Sequence, residues 1–535
     1  MKSVYKIIIT VLLAAMVPLV GCDTDELANR NINPQAVDEI DLNFLFTEAQ
    51  VGTASGGATG DNRFIDWRTN IGMFSYAMQH LAHVTRGIAP GDKYTDNFEV
   101  NLAPWEWWYE GQLKLITEIL KQTGAEGYAA GRHHNMVQAS RIIRAWTYHK
   151  LVDYYNDVPY TEANQGIEGT FFPSYDDGKF VYEQAAAELM AAAAALDASQ
   201  PDEGFSNSDL YFGGDVTKWK KWAYSVLLRM AMRVSNADPA LAGQWVTAAV
   251  AGGVMESNDD NVWVPTALGP SEWRNQNGIS RAFQPGDGGQ PSIMSNTLID
   301  ELKGPLAGST ADDDPRLMIF SGGIFDWTPL GVDLIDDNPL NQIGMPNGKD
   351  LSEIQDAIAP VTNPDVFYSK INTLLLDDDD PYQLMNYAEV EFLLADALVQ
   401  GMGSGISGTA AEHYEAGVRA AMTQYGPYDA DGGLNVSDGA ITAYLAARPF
   451  DGSAAMIHNQ LWINGFLNWW ESWSNWRRTG IPALVPTNHP TSVTNGVIPR
   501  RLLYPNSEIA TNFDNVPCCT TPDQGYIQRV WWDTQ

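Results

Sequence analysis

The feature that most limits the fold is apolar spacing at the period of an α-helix. Between Trp219 and Val234 the apolar face comprises Trp219, Trp222, Val226, Met230 and Val234. Steps of three and four put them on one side of a helix, with Lys220, Lys221, Arg229 and Arg233 off it. Val181, Ala185, Leu189, Ala192 and Leu196 repeat the pattern, as do Ala410, Tyr414, Val418, Ala421 and Tyr425. Further helices are expected over about 42–53, 66–83, 106–123, 133–154, 239–251, 384–400, 438–447 and 454–476. Several follow one another after short breaks, as 384–400 and 409–425 do. Such succession predicts a mainly α protein with a tetratricopeptide-like scaffold of paired helices, although no strict repeat of about 34 residues aligns. The stretch 252–380 differs, being rich in Gly, Pro, Asn and Asp with isolated aromatics. It is too long for a plain loop, and long irregular excursions on a rigid scaffold are where binding residues tend to sit.

The N-terminus carries Lys2 and Lys6, an apolar run from Ile7 to Val17, and then Leu19-Val20-Gly21-Cys22. The run is shorter than the roughly 20 residues that span a bilayer. The layout predicts a lipoprotein signal over 1–21, cut in front of a lipidated Cys22. Residues 22–41 are polar and without period after the cysteine, and read as a tether. Several acyl chains would then hold the protein on a membrane surface, at about 0.8 kcal/mol per buried CH₂.

Charge removes one class of partner. There are 66 acidic against 32 basic side chains, a formal net charge of −34. Nucleic-acid binding needs a basic stripe and is excluded on that ground. Beyond Cys22 the only cysteines are the adjacent Cys518 and Cys519. They give no disulfide framework, so packing must hold the fold.

Catalytic signatures are mostly missing: there is no G-x-x-x-x-G-K-[ST], H-E-x-x-H or G-x-S-x-G. Gly403 to Gly408 matches G-x-G-x-x-G but follows a helix, so it reads as an interhelical loop. His80 and His83 share a helix face without an evident third ligand, and read as packed or surface histidines. Asp377–Asp380 could gather oxygens around calcium but lacks the spacing of a calcium loop. It reads as a solvated turn opening the next helix, and Asp312–Asp314 reads likewise. No cofactor is expected, with structural calcium as the one exception left open. No carboxylate pair stands out for glycoside hydrolysis.

Eighteen tryptophans are more than a core of this kind needs, which favours an aromatic-stacking ligand. Trp146, Trp219 and Trp222 sit on core faces, Trp469, Trp470, Trp473 and Trp476 share a helix, and Trp107 and Trp108 open one. Trp67, Tyr94, Trp263, Trp273, Phe325, Trp327 and Tyr368 fall near helix ends or in irregular stretches. A flat ring there can stack on the apolar face of a sugar. Arg274 and Asn275, next to Trp273, could add orienting hydrogen bonds. The candidate ligand residues are thus Trp67, Tyr94, Trp263, Trp273, Arg274, Asn275 and Trp327.

Several collinear segments resemble the SusD/RagB family of nutrient-binding lipoproteins of the Bacteroidota outer membrane. They are Asp157-Val158-Pro159-Tyr160-Thr161-Glu162-Ala163 followed by Phe172-Pro173-Ser174-Tyr175-Asp176, and Gly214-Asp215 through Lys218–Ala223 to Leu228–Arg233. Asp314-Pro315-Arg316-Leu317, Met385 to Ala395, Glu471 to Gly480 and Ile498–Leu502 complete the set. The resemblance implies one SusD-like helical domain over 42–535, with the irregular insertion at about 252–380 inside it. It also implies a lid-like role over a SusC-like TonB-dependent transporter, with capture of oligosaccharides or peptides. Asp23, Asp25 and Glu26 resemble the surface-export signal of such lipoproteins. Family ligand residues lie in variable loops, so none is carried over.

Three functions remain to be weighed: substrate capture without chemistry, a surface-anchored glycan-degrading enzyme, and a structural lipoprotein. The first is favoured, because no catalytic constellation appears and a spacer has no need of the aromatic-rich 252–380 stretch. The aromatic loops favour glycan over peptide.

Overall fold

A computed structural model of the chain describes residues 39–54, 63–84, 91–200, 202–283, 293–328, 331–518 and 520–535. Side chains of Glu272, Trp273 and Thr328 are outside that description, as are the predicted signal, Cys22 and most of the tether. Among the described residues no helix is long and apolar enough to cross a membrane.

The periodic segments form helices. We label α1 (His134–Tyr155), α2 (Gly178–Ala195), α3 (Val216–Arg233), α4 (Pro239–Gly252), α5 (Tyr387–Val399), α6 (Ala410–Thr423), α7 (Asp438–Ala447), α8 (Ala454–Asn464) and α9 (Trp469–Thr479). α1 packs on α2, α3 on α4 and α5 on α6, and α2 also packs on α3. This is the paired-helix scaffold the spacing predicts. Local chemistry sets the ends. The Asp215 carboxylate accepts from the Thr217 and Lys218 N–H groups at the start of α3, satisfying donors that the first turn leaves open. Thr409 and Glu412 form a reciprocal capping box on α6. Gly480 ends α9 in the left-handed region, at φ 68°, which costs glycine no Cβ clash.

Three expected helices differ. The segment 66–83 is a π-helical stretch, Asp66–Ser75, then a left-handed Gln79 at φ 56° and strand β1 (Leu81–Ala82). The segment around 106–123 is Phe98–Trp107, a π-helical Trp108–Leu113 and Lys114–Thr123. Trp107 and Trp108 therefore lie at that junction, not at a helix start. The expected 454–476 helix breaks between α8 and α9, where Leu467 takes φ 73°. Burial continues across each break, so the apolar pattern carries no trace of the change in backbone.

The stretch 252–380 holds β2 (Val262–Val264), β3 (Ile293–Met294), β4 (Ser321–Thr328), β5 (Gly331–Asp336) and β6 (Lys370–Ile371). With β1 and β7 (Tyr382–Met385) they form two small sheets, ordered β1-β3-β6-β4-β5 and β2-β7. The Asp377–Asp380 run thus leads into a strand, where a helix start was expected. The Asp380 carboxylate accepts the Asp377 N–H at 2.9 Å, and burial together with the neighbouring aspartates raises its pKa to about 8. Among the described residues no group of three His, Cys, Asp or Glu side chains is arranged to hold a metal. Asp314 is also not a solvated turn residue: it is buried, and its carboxylate receives Arg316 Nε at 3.0 Å and Nη2 at 2.7 Å. His80 is buried edge-on to Trp462, 4.6 Å between ring centres, and burial lowers its pKa to about 3. Cys518 is disulfide-bonded, and Cys519 lies outside the described residues.

The core is ionic as well as apolar. Arg229 and Arg233, expected off the apolar face of α3, are 2% and 4% exposed. Arg229 forks onto Glu389 of α5, with Nε and Nη2 at 2.6 and 2.7 Å from the two carboxylate oxygens. Glu471 of α9 receives Lys150 at 3.1 Å, Arg229 at 3.5 Å and Arg233. Arg478 donates to Asp396 at 2.9 Å. Arg477 lies over the Trp473 ring at 3.4 Å and donates to the Arg500 carbonyl at 2.8 Å. The arginine pair near the end of α9 is therefore interior, and does more than complement a helix dipole. Burying charge is costly unless every group is paired, and here the cations from α1, α3 and α9 meet carboxylates from α5 and α9.

Candidate functional site

A cleft of about 530 Å³ opens beside β1, the end strand of the larger sheet. Four segments build it: Gln79 before β1, Asn296 and Thr297 after β3, the turn Pro346–Lys349, and the chain from Ala483 to Pro490 beyond α9. Its walls combine amides and hydroxyls, from Gln79, Asn296, Thr297, Asn347, Thr487 and Asn488, with apolar prolines, Ala483 and Val485. Gln79 Nε2 donates to the Val485 carbonyl at 2.6 Å, and Thr297 Oγ1 donates to Gln79 Oε1 at 2.8 Å. Asn347 Nδ2 donates to the Leu81 carbonyl at 2.8 Å, and its Oδ1 accepts from Ser295 Oγ at 2.5 Å. These bonds fix the amides in place before any ligand arrives.

Asp92, buried behind the cleft, braces the turn at Asn347 and Gly348. Its Oδ2 accepts from Gly348 N at 2.9 Å and from Asn347 Nδ2 at 3.2 Å, while its carbonyl accepts from Thr487 Oγ1. Burial raises its pKa to about 6, partly offset by the Gly348 and Asn347 hydrogen bonds. Gly348 sits at φ +70°, and a Cβ there would meet Thr487 Cβ at 2.5 Å; only glycine allows the two walls to approach so closely. Charge at the rim is paired, Lys349 with Glu353 at 2.9 Å and Lys93 with Asp350 at 2.9 Å, with His489 3.1 Å from the same carboxylate. A cleft of fixed amides and hydroxyls with balanced charge suits a neutral ligand rich in hydroxyl groups.

The sequence candidates fall elsewhere or behind this cleft. Tyr94 is 1% exposed, and its ring is not open for stacking, contrary to expectation. Its hydroxyl accepts the Thr487 N–H at 3.1 Å and its carbonyl the Val493 N–H at 3.0 Å, so it braces the cleft wall from behind. Tyr94→Phe should cost about 1 kcal/mol in thermal unfolding, the ordinary value of one such bond. Trp67 is half-buried with the Arg63 and Arg68 guanidinium carbons 4.7 and 4.4 Å from its ring centre. Trp263 is half-buried in β2, edge-on to Tyr428 at 5.6 Å. Trp327 stands on β4, edge-on to the buried Phe325 at 6.1 Å. Tyr368 is buried in a small apolar cluster with Ile293 and Met345. Arg274 is exposed, 4.0 Å from Glu48. Asn275 holds its own turn by accepting the Ser271 N–H at 3.1 Å and, through its carbonyl, the Ala267 N–H at 2.7 Å. Trp273 has only its backbone described, in the turn Glu272–Asn275.

Sequence reasoning missed Gln79, Thr297, Asn347 and Thr487. One signal was available: amide and hydroxyl residues directly follow a proline in Pro346-Asn347-Gly348 and in Pro486-Thr487-Asn488-His489-Pro490.

A family model described as SusD-like, "starch-binding associating with outer membrane", matches residues 34–505. Among solved structures, a chitin-binding protein is 30% identical, with 92% of this chain and 100% of that one covered and a TM-score of 0.76. A SusD-like protein named for Bacteroidetes AC2a is 26% identical over 93% of this chain and 100% of that one, with a TM-score of 0.77. A chitin-binding SusD homologue from Flavobacterium johnsoniae shares the fold at 24% identity, covering 92% and 98% of the two chains, with a TM-score of 0.67. No curated protein sequence matches the chain.

Proposed function

The chain belongs to the SusD-like family, and we propose that it captures oligosaccharides at the cell surface and passes them to a SusC-like TonB-dependent transporter. It is a binding protein and not an enzyme. The observation that carries the reading is the cleft at Asn347: preset amides and hydroxyls, balanced charge, and a fold shared with a chitin-binding protein. The N-terminal lipobox supports attachment to the outer membrane through acyl chains on Cys22. Moderate affinity fits the role, because slow dissociation would delay transfer to the transporter.

The test is calorimetric titration of the full chain in detergent with a panel of oligosaccharides, chitin and starch fragments first, and with peptide mixtures. The expected result is binding of one glycan class. The double variant Thr297→Ala/Asn347→Ala should weaken it about tenfold, the loss of one or two net hydrogen bonds. Binding of peptides alone would move the ligand to the other class. Glycan binding untouched by the double variant would move the site away from this cleft.

A further inference from the structure

The sequence holds four Asn-Gly pairs, beginning at Asn277, Asn347, Asn464 and Asn495. In such a pair the glycine nitrogen can attack the asparagine side-chain carbon, since no Cβ on the second residue stands in the way. The attack is slow unless a base takes the proton of that weakly acidic N–H. Asn347 differs from the other three in what surrounds it. The Gly348 N–H donates to Asp92 Oδ2 at 2.9 Å, and Asn347 Nδ2 donates to the same oxygen at 3.2 Å. One carboxylate oxygen thus meets both the attacking nitrogen and the nitrogen that would leave, each within the reach of a general base. Asn347 Oδ1 accepts from Ser295 Oγ at 2.5 Å, where negative charge would develop on attack. Ser295 Oγ itself accepts the Thr297 N–H at 3.1 Å, which leaves its hydrogen aimed at Asn347. Asp92 is 1% exposed, and burial brings its pKa to about 6, close to where a base must work. At Asn464 and Asn495 the glycine N–H goes to the Leu461 carbonyl and to the Ser492 hydroxyl, neither of them a base. Asn277 commits its Oδ1 to the Ile279 and Ser280 N–H groups of the next turn.

We propose that Asn347 and Gly348 form a self-modifying site, at which Asp92 and Ser295 catalyse conversion of the asparagine, through a cyclic imide, to aspartate and isoaspartate. Asp92 takes the Gly348 proton as that nitrogen bonds to Asn347 Cγ. The Ser295 hydroxyl holds the oxygen that becomes negative. The Cγ–Nδ2 bond then breaks, and Nδ2 leaves as ammonia with the proton from Asp92, which returns to its starting state. Water from the cleft, which Asn347 and Gly348 line, opens the imide at one of its two carbonyls. The product carries a carboxylate where the cleft wall had an amide, or a backbone lengthened by one carbon. The inference does not depend on what the cleft binds.

The experiment incubates the full chain in detergent, near neutral pH, in water enriched in heavy oxygen, and maps its peptides by mass spectrometry. The heavy oxygen marks conversion that took place before digestion. The expected result is conversion at Asn347 that is faster in the folded chain than in the same chain unfolded in urea, with no such acceleration at Asn495. Asp92→Asn keeps an acceptor for Gly348 and removes the base. It should slow conversion at Asn347 at least tenfold and leave Asn495 unchanged, and Ser295→Ala should also slow Asn347. In the parent the rate at Asn347 should rise through about pH 6 and level off as Asp92 ionises. Lys93 beside Asp92 favours the ionised form, while the neighbouring Tyr76 and Tyr94 hydroxyls stay neutral there. Conversion no faster in the folded chain than in urea overturns the assignment, and that comparison needs no variant to fold. So does a rate unchanged in Asp92→Asn, or one that climbs with pH without levelling.

Discussion

Replacing Glu471 by alanine should destabilise the protein by about 3–5 kcal/mol, the cost of stranding buried charge. Lys150, Arg229 and Arg233 all reach this one carboxylate. Lys150 is 1% exposed and its pKa is held well below the usual lysine range, by burial first and then by Arg229. Without Glu471 these cations face each other in the interior with only Glu389 and Asp153 near. The readout is the urea midpoint followed by tryptophan fluorescence, with Lys121→Ala as the control. Lys121 pairs with Glu168 at 2.7 Å, but both side chains are about half exposed, and such pairs contribute roughly 0–1 kcal/mol. If Glu471→Ala costs no more than Lys121→Ala, water reaches the network and the scaffold does not depend on it.

That network also explains why the family was so legible. Arg229, Arg233, Glu389, Glu471, Arg477 and Arg478 all lie in the segments that carry the resemblance. Charged side chains in helices are normally solvated, so periodicity alone placed Arg229 and Arg233 outside. Only a constraint between distant segments holds them inside, and helix spacing contains no such term. The helices themselves were readable because a helix such as α6 buries one face of regular period. The π-helical stretches, the short strands and the break before α9 were not, since each is a local change of backbone under unbroken burial. The site was less legible still. Aromatic rings on loops drew attention, yet Tyr94 is a brace, and the half-buried Trp67 ring already stacks with the Arg63 and Arg68 guanidinium groups. The cleft is made instead by Gln79, Thr297, Asn347 and Thr487, which come from four separated segments and carry no spacing that links them.

Stability should be greatest near pH 4 and fall as the pH rises toward 7, with Asp66 a main cause. Asp66 is fully buried, and its Oδ1 accepts from Asn70 Nδ2 at 3.0 Å and from the Tyr382 hydroxyl at 2.9 Å. Among the described residues no cation offsets its burial, which raises its pKa from 3.8 to about 7. The folded state therefore binds a proton more tightly than the unfolded chain does. The stability gained is complete below pH 3.8 and is lost as the pH rises through 7. Asp92, raised to about 6 mainly by burial, acts in the same direction. Asp396 has the opposite sign. Burial raises its pKa, but His458 and Arg478 outweigh that and hold it below the usual carboxylate range. Its contribution is lost only as the pH falls below that range. The two opposite signs meet near pH 4, which is where the protein is most stable. The rise from 3.8 to about 7 corresponds to on the order of 4 kcal/mol between the two ends of that window. Asp66→Asn keeps the shape and removes the titration. Melting temperatures at about pH 5 and 8 should differ by several degrees in the parent and by clearly less in Asp66→Asn. Equal differences in the two proteins would mean that Asp66 is ionised in the folded state across the whole range, with its charge compensated from outside the contacts it makes to Asn70 and Tyr382.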